Sequence, residues 1–244
     1  MQEDIALFTI KELQKRGSSY AEARIEEVQS IDFLLKNGVL QASGRDENIG
    51  IGVRYILNNT LGFFSTNDLN KKTIKQLIDS SIKRTQAAKK ITANIQFTNE
   101  KTVKKSYRVK QKKNLLSVSP EEKIKLLKEI DKEVKKTKVN ITGCYLAYAD
   151  NINKKLFINS EGSKIISEIP RVHAMSIITV QENQRSMQRH GEYGSSGGFE
   201  QVRNWNLLSK IPEEILALKN VLKKGVKVAP GKQDLIVSPE IAGI

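Results

Sequence analysis

Cysteine occurs once in the 244 residues, at Cys144, and histidine twice, at His173 and His190. A single cysteine excludes a disulfide framework and suits a reducing compartment. The two histidines fall in strand-like segments, far from the one-turn spacing of a helical zinc pair, and Cys144 sits between Gly143 and Tyr145 as a buried thiol would. No long apolar run is present: nothing approaches the roughly 18–20 residues that span a bilayer, and residues 1–16 lack the core of a signal peptide. The expectation is a soluble, cytoplasmic chain with no membrane partner. Glycine-rich phosphate loops of the G-x-x-x-x-G-K-[ST] or G-x-G-x-x-G kind are missing, as is the G-x-S-x-G elbow that would activate Ser195 or Ser196. No catalytic or metal-ligating residue is assigned, and the substrate-binding residues stay unknown at this level.

Positive charge, by contrast, is plentiful. Forty-one Lys and Arg against twenty-seven Asp and Glu give +14, and Lys101 to Lys138 alone holds fourteen basic and five acidic residues. Seven of those bases lie between Lys101 and Lys113 with no acid among them. A basic run attracts nucleic acid non-specifically, but only Tyr107 interrupts it, too few aromatics for stacking on single strands. A solvated face explains the charge more simply.

The hydrophobic pattern reads as helix, antiparallel strands, helix, then the same again. Ala6, Ile10 and Leu13 mark a first helix over 3–16, closed by Gly17. Ala21, Ala23 and Ile25 alternate with charged residues as a half-buried strand does, and Asn37-Gly38 predicts a type I′ hairpin turn. A second hairpin is expected from Ile49–Leu57 and Leu61–Phe64 around Asn58-Asn59. Ile74, Leu77, Ile78, Ser81, Ile82 and Thr85 then form a helical stripe. Ser119, Pro120 and Glu122 make a capping box for a helix whose buried side is Ile124, Leu127, Ile130 and Val134, with Glu121–Lys125 and Asp131–Lys135 as supporting pairs. Beyond it, strands are expected over 142–148 and 155–159 about a turn at Asn151–Asn153. Further strands over 163–169 and 172–180 follow, then a glycine-rich hairpin over 186–201 and a last helix over 213–224. The fold class is α+β, antiparallel sheets with packed helices in two sub-structures. Residues 1–92 form one unit, 93–118 a basic connection, and 119–244 a second unit.

The densest glycine stretch, Gly191 to Glu200, is either a plain turn or a substrate-facing loop. The chain closes with DLIVSPEIAGI, in which Asp234–Val237 reads as the start of a buried strand.

Several stretches taken in order resemble the TldD/PmbA family, called modulators of DNA gyrase and regarded as zinc metallopeptidases. They are YAEARIEEVQSIDFLLKNGVLQ, GIGVRYILNNTLGFFSTNDL with Gly50-Ile51-Gly52-Val53-Arg54 and Gly62-Phe63, the run from Asn159-Ser160-Glu161-Gly162, and DLIVSPEIAGI. The likeness implies a peptide or unfolded-protein substrate and a homo- or heterodimer with a family member. In the peptidase branch such a closing strand leads into a helix carrying H-E-x-x-x-H, whose residues bind zinc and supply the general base. That motif does not occur in this sequence, so the resemblance implies an N-terminal region that binds no metal itself, cut before the metal segment. Its alternatives are a non-catalytic partner subunit of the same family and, from another class, a nucleic-acid-binding module using Lys101 to Lys113.

Overall fold

The computed structural model describes residues 2–88, 95, 97–98, 100–237 and 242. Helix α1 (Gln2–Lys15) leads into strands β1 (Tyr20–Lys36), β2 (Val39–Leu57) and β3 (Thr60–Thr66), then helix α2 (Lys71–Ala88). A short β4 (Lys104–Arg108), a 3-10 turn (Leu115–Ser117) and α3 (Pro120–Lys136) precede β5 (Ile141–Asn159), β6 (Lys164–Glu182) and β7 (Arg185–Ser196). The short α4 (Glu200–Asn204) and α5 (Leu207–Lys224) follow. Among the described residues all seven strands belong to one sheet, ordered β3-β2-β1-β5-β6, with β4 and β7 end to end along the outer edge of β6.

Both predicted turns form as expected. Asn37 (φ 51°) and Gly38 (φ +83°) occupy left-handed conformations, and so do Asn58 and Asn59 (φ 51° and 60°). Between them, however, β2 runs unbroken for 19 residues, so the two expected hairpins share one strand. The same correction applies further on. The expected turn at Asn151–Asn153 lies inside β5, and Pro170 lies inside β6, each strand again 19 residues long. Asn residues extend readily when cross-strand partners hold them, as Ser30 and Val28 hold Asn151 and Asn153. Pro170 is tolerated because it falls at a seam: β4 stops pairing at Glu168 and β7 starts at Arg171. The expected hairpin over 186–201 is a single strand, β7, that turns into α4.

Register places every described helix on one face of the sheet. Along β1, Ala21, Ala23, Ile25, Phe33 and Leu35 share that face. The first three join a core under α1 and α2, with Ile51, Val53, Tyr55, Ile74 and Ile78. The last two join a second core under α3, α4 and α5, with Leu127, Ile130, Tyr148, Val172 and Ile215. One sheet therefore carries two helix-covered cores, with a saddle between them.

Half of the expected capping box forms: Ser119 accepts from the Glu122 amide at 3.3 Å, while the Glu122 carboxylate pairs with Lys113. Leu127, Ile130 and Val134 are buried, Ile124 partly so, and Lys135 pairs with Asp131, whereas Lys125 turns to Glu129. The basic connection contributes β4, parallel to the start of β6, and buries Leu115; its positions 93, 94, 96 and 99 lie outside the described residues. Asp234–Val237 is no strand: Leu235 and Ile236 are 85% and 99% exposed. A strand needs a neighbour to pair with, and the edges of β4 and β7 are not used by this segment. The rest of that closing stretch lies outside the described residues, apart from Ala242.

Candidate peptide-receiving cleft

Strand β2 has two unlike halves. From Ile51 to Ile56 it is flanked by β1 and β3; from Val39 to Gly50 it pairs, among the described residues, with β1 alone. The open half is exposed and carries Arg45, Asp46 and Glu47, charges of the kind that keep a free edge from aggregating. Beside it, in the saddle between the cores, lies a cleft of about 340 Å³. Arg45, Asp46 and Glu47 form one wall, and the 3-10 turn with the start of α3 forms the other, through Leu115, Leu116 and Val118. Leu116 is 58% exposed there, an apolar side chain held out in a groove.

The second wall is fixed by two clasps. Lys123 and Asp150 are 3% and 4% exposed and pair at 2.7 Å. The same ammonium donates to the Leu115 carbonyl at 3.0 Å, and the Tyr148 hydroxyl donates to Asp150 at 2.5 Å. Burial, together with the Asp150 charge, pushes the Tyr148 phenol well above its ordinary range, so it remains a donor. The second clasp is the glycine-rich stretch. Phe199 N–H donates to the Lys113 carbonyl at 2.9 Å, and Glu200 accepts from the Lys113 amide at 2.8 Å. A Cβ at Gly198 would lie 2.2 Å from that carbonyl, so only glycine admits the approach. Gly198 thus lets this stretch grip the chain that builds the cleft wall, a role between the plain turn and the substrate loop expected from sequence.

The residues weighed for chemistry do not converge. Cys144 faces the covered side, among the second core, while His173 and His190 lie on the opposite face. Burial raises the Cys144 thiol to about 11, leaving it protonated and inert. His190 lies 3.2 Å from Glu192, and Ser195 lies across from Val172 in the β6–β7 ladder. Among the described residues no group of three or more His, Cys, Asp or Glu is placed to hold a metal ion. The metal implied by the family resemblance therefore finds no ligand set in them. Within the basic run, Arg108 pairs with Glu168, and Lys113 pairs with Glu122 while lying over Phe199, so part of this charge holds the fold. No described helix is long and apolar enough to cross a membrane.

Sequence reasoning missed Lys123, whose place beside Ile124 on an amphipathic helix reads as solvent-facing. It also missed the open half of β2, because QASGRDEN carries no strand periodicity.

These features define an α+β protein built on one mainly antiparallel sheet, covered on a single face by the described helices. Family models place it further: PmbA/TldA metallopeptidase domain 1 matches residues 21–85, and the PmbA/TldA metallopeptidase central domain matches 113–223. The chain belongs to the TldD/PmbA family. It is 28% identical over 226 residues to a metalloprotease of Methanocaldococcus jannaschii, covering 92% of this chain and 49% of that protein. A metalloprotease of Archaeoglobus fulgidus is 25% identical over 224 residues, covering 91% and 48%. Among solved structures, a protein named as a modulator of a DNA gyrase from Thermotoga maritima superposes with a TM-score of 0.70 at 16% identity, covering 94% of this chain and 50% of that one. TldE from Thermococcus kodakarensis gives 0.66 at 15%, covering 88% and 47%. The likeness to the solved structures is one of fold. The chain spans about half the length of the curated relatives it matches.

Proposed function

We propose that this chain is the peptide-receiving and subunit-pairing portion of a TldD/PmbA-type zinc metallopeptidase. It does not hydrolyse peptides by itself, because H-E-x-x-x-H does not occur in its sequence. The observation that carries the reading is the open half of β2 beside the cleft. An extended peptide can add there as a further strand, held by main-chain hydrogen bonds that ignore its side chains, with Leu116 offering one apolar contact. In the complete protein, a bound zinc would supply the Lewis-acid chemistry of amide hydrolysis. This chain's part is to present unfolded segments to that centre, in the cytoplasm, together with a second family subunit.

The test is fluorescence anisotropy with a labelled, unstructured decapeptide and a copy N-methylated at alternate amides. Strand addition predicts that the first binds and the second is weakened at least about tenfold, as expected when several charge-neutral hydrogen bonds are lost. Equal binding of the two, or no binding of either, overturns it. Sedimentation of the chain with and without a second family subunit tests the pairing.

A further inference from the structure

At the far end of the sheet, on the face without helices, a second arrangement has nothing to do with the β2 cleft. Glu22 is 3% exposed, and its Oε1 accepts from Nε of both Arg24 (3.1 Å) and Arg54 (2.8 Å). Its Oε2 accepts from the Tyr20 hydroxyl at 2.7 Å. Burial opposes ionisation of Glu22, yet hydrogen bonds from Arg54 and Tyr20 and the neighbouring guanidiniums hold its carboxyl below the usual range. Each guanidinium also lies over a ring, Arg24 over Phe157 at 5.2 Å and Arg54 over Phe97 at 5.6 Å. The two arginines are thus fixed at Nε and across one flat side. Their side chains are still 62% and 43% exposed, which leaves the Nη donors for a ligand.

Arg24 opens onto a groove of about 380 Å³. Register builds it from two cross-strand rows, Arg24–Phe157–Ile165 and Glu26–Lys155–Ser167. One row is apolar with a guanidinium at its end. In the other, Lys155 lies 3.3 Å from Glu26. The volume suits a small ligand or a single residue of a larger one.

We propose that this groove binds an apolar monocarboxylate, with the carboxylate on the Arg24 guanidinium and the apolar group against Phe157 and Ile165. Charge decides between anions. The groove's own lining sets Arg24 and Lys155 against Glu26, a surplus of one positive charge, which a monoanion neutralises and a phosphate dianion overshoots. A planar carboxylate also matches the guanidinium edge in bidentate fashion. Two sources carry this chemistry, the C-terminal residue of a peptide and a free small acid. The inference does not depend on strand addition at β2, which lies along another stretch of the sheet.

Isothermal titration of the chain with N-acetyl-leucine, acetyl-Ala-Ala-Leu as free acid, and the same tripeptide as its amide tests it. Binding of an acid, with the amide at least about tenfold weaker, supports the proposal. A loss of about ten- to a hundredfold on Arg24→Gln, the usual effect of a charged hydrogen bond, supports it too. Ile165→Asp, a half-exposed position on another strand, should abolish binding of the acid with melting unchanged. A tighter tripeptide acid assigns the site to peptide ends, and equal affinity of the two acids assigns it to small acids. Equal binding of acid and amide, binding by neither, or inorganic phosphate outcompeting the acid overturns the proposal. If a blocked peptide still adds to β2, the proposed function stands without this site.

Discussion

The two cores under the sheet solve the problem of buried polarity differently. Under α1 and α2 the polar contacts are neutral: the Tyr55 hydroxyl, fully buried, meets Ser81 and Thr85 on α2 at 2.8 Å each. Under α3 to α5 a full ion pair, Lys123–Asp150, is buried beside Tyr148. A neutral hydroxyl bridge adds a modest net gain, while a buried ion pair contributes little over apolar residues of equal volume. Where the pair sits is therefore more telling than its strength. It stands at the cleft and ties the Leu115 wall to the sheet, whereas the hydroxyl bridge lies where β3 already closes the edge. The polar interior is costliest where the fold has an open side to shape.

Breaking one partner of each should separate the two solutions. Lys123→Met leaves Asp150 buried with only the Tyr148 hydroxyl, and should cost about 3–5 kcal/mol in urea unfolding. The double variant Lys123→Met/Asp150→Leu should recover most of that loss, yet loosen the Leu115–Ser117 turn, seen as faster amide exchange there. If the single variant costs under about 1 kcal/mol, the ionic core is not what the geometry says. Tyr55→Phe in the other core removes a hydroxyl from two neutral partners and should cost about 1–2 kcal/mol. A loss as large as that of Lys123→Met would erase the distinction between the cores.

Most of the helices were legible because their signals are local. The Ser119 N-cap, the stripe from Ile74 and the Asn37-Gly38 turn each depend on neighbours within a few residues, and each formed. What failed was length. Asn151–Asn153 and Pro170 look like strand breakers in isolation, but pairing on both sides carries β5 through the first, and the second falls at the seam between β4 and β7. The cleft was illegible for a related reason: an open edge is defined by the partner that is absent, and β3 is too short to reveal this in sequence. Lys123 could have been suspected only from its neighbours on the helix stripe, since a lysine there reads as the wet side. Glycine density at 191–198 was visible, but what Gly198 makes room for, the clasp between Lys113 and Glu200, spans 87 residues.

The smallest expected effect tests the first core from its rim rather than its interior. Glu12 at the end of α1 receives Arg16 at 2.6 Å and Lys15 at 2.9 Å, and Arg16 also reaches Asp79 on α2. The Arg16 hydrogen bond, then that of Lys15, lowers the Glu12 carboxyl from 4.5 to about 2. A depressed carboxyl contributes stability above its unfolded pKa and loses it as pH falls through the folded value. The contribution is therefore complete above pH 4.5, fades between 4.5 and about 2, and is gone below. Solvent at the rim limits it to about 1 kcal/mol. Glu12→Gln should lower stability by that amount at pH 7 and by nothing near pH 2, so the two unfolding curves converge on acidification. Curves that stay parallel would mean that Glu12 adds nothing to this edge, leaving Arg16–Asp79 and the apolar stripe to hold α1 to α2. The ionic support of the first core would then be a single pair at its rim, and the contrast with the second would be sharper still.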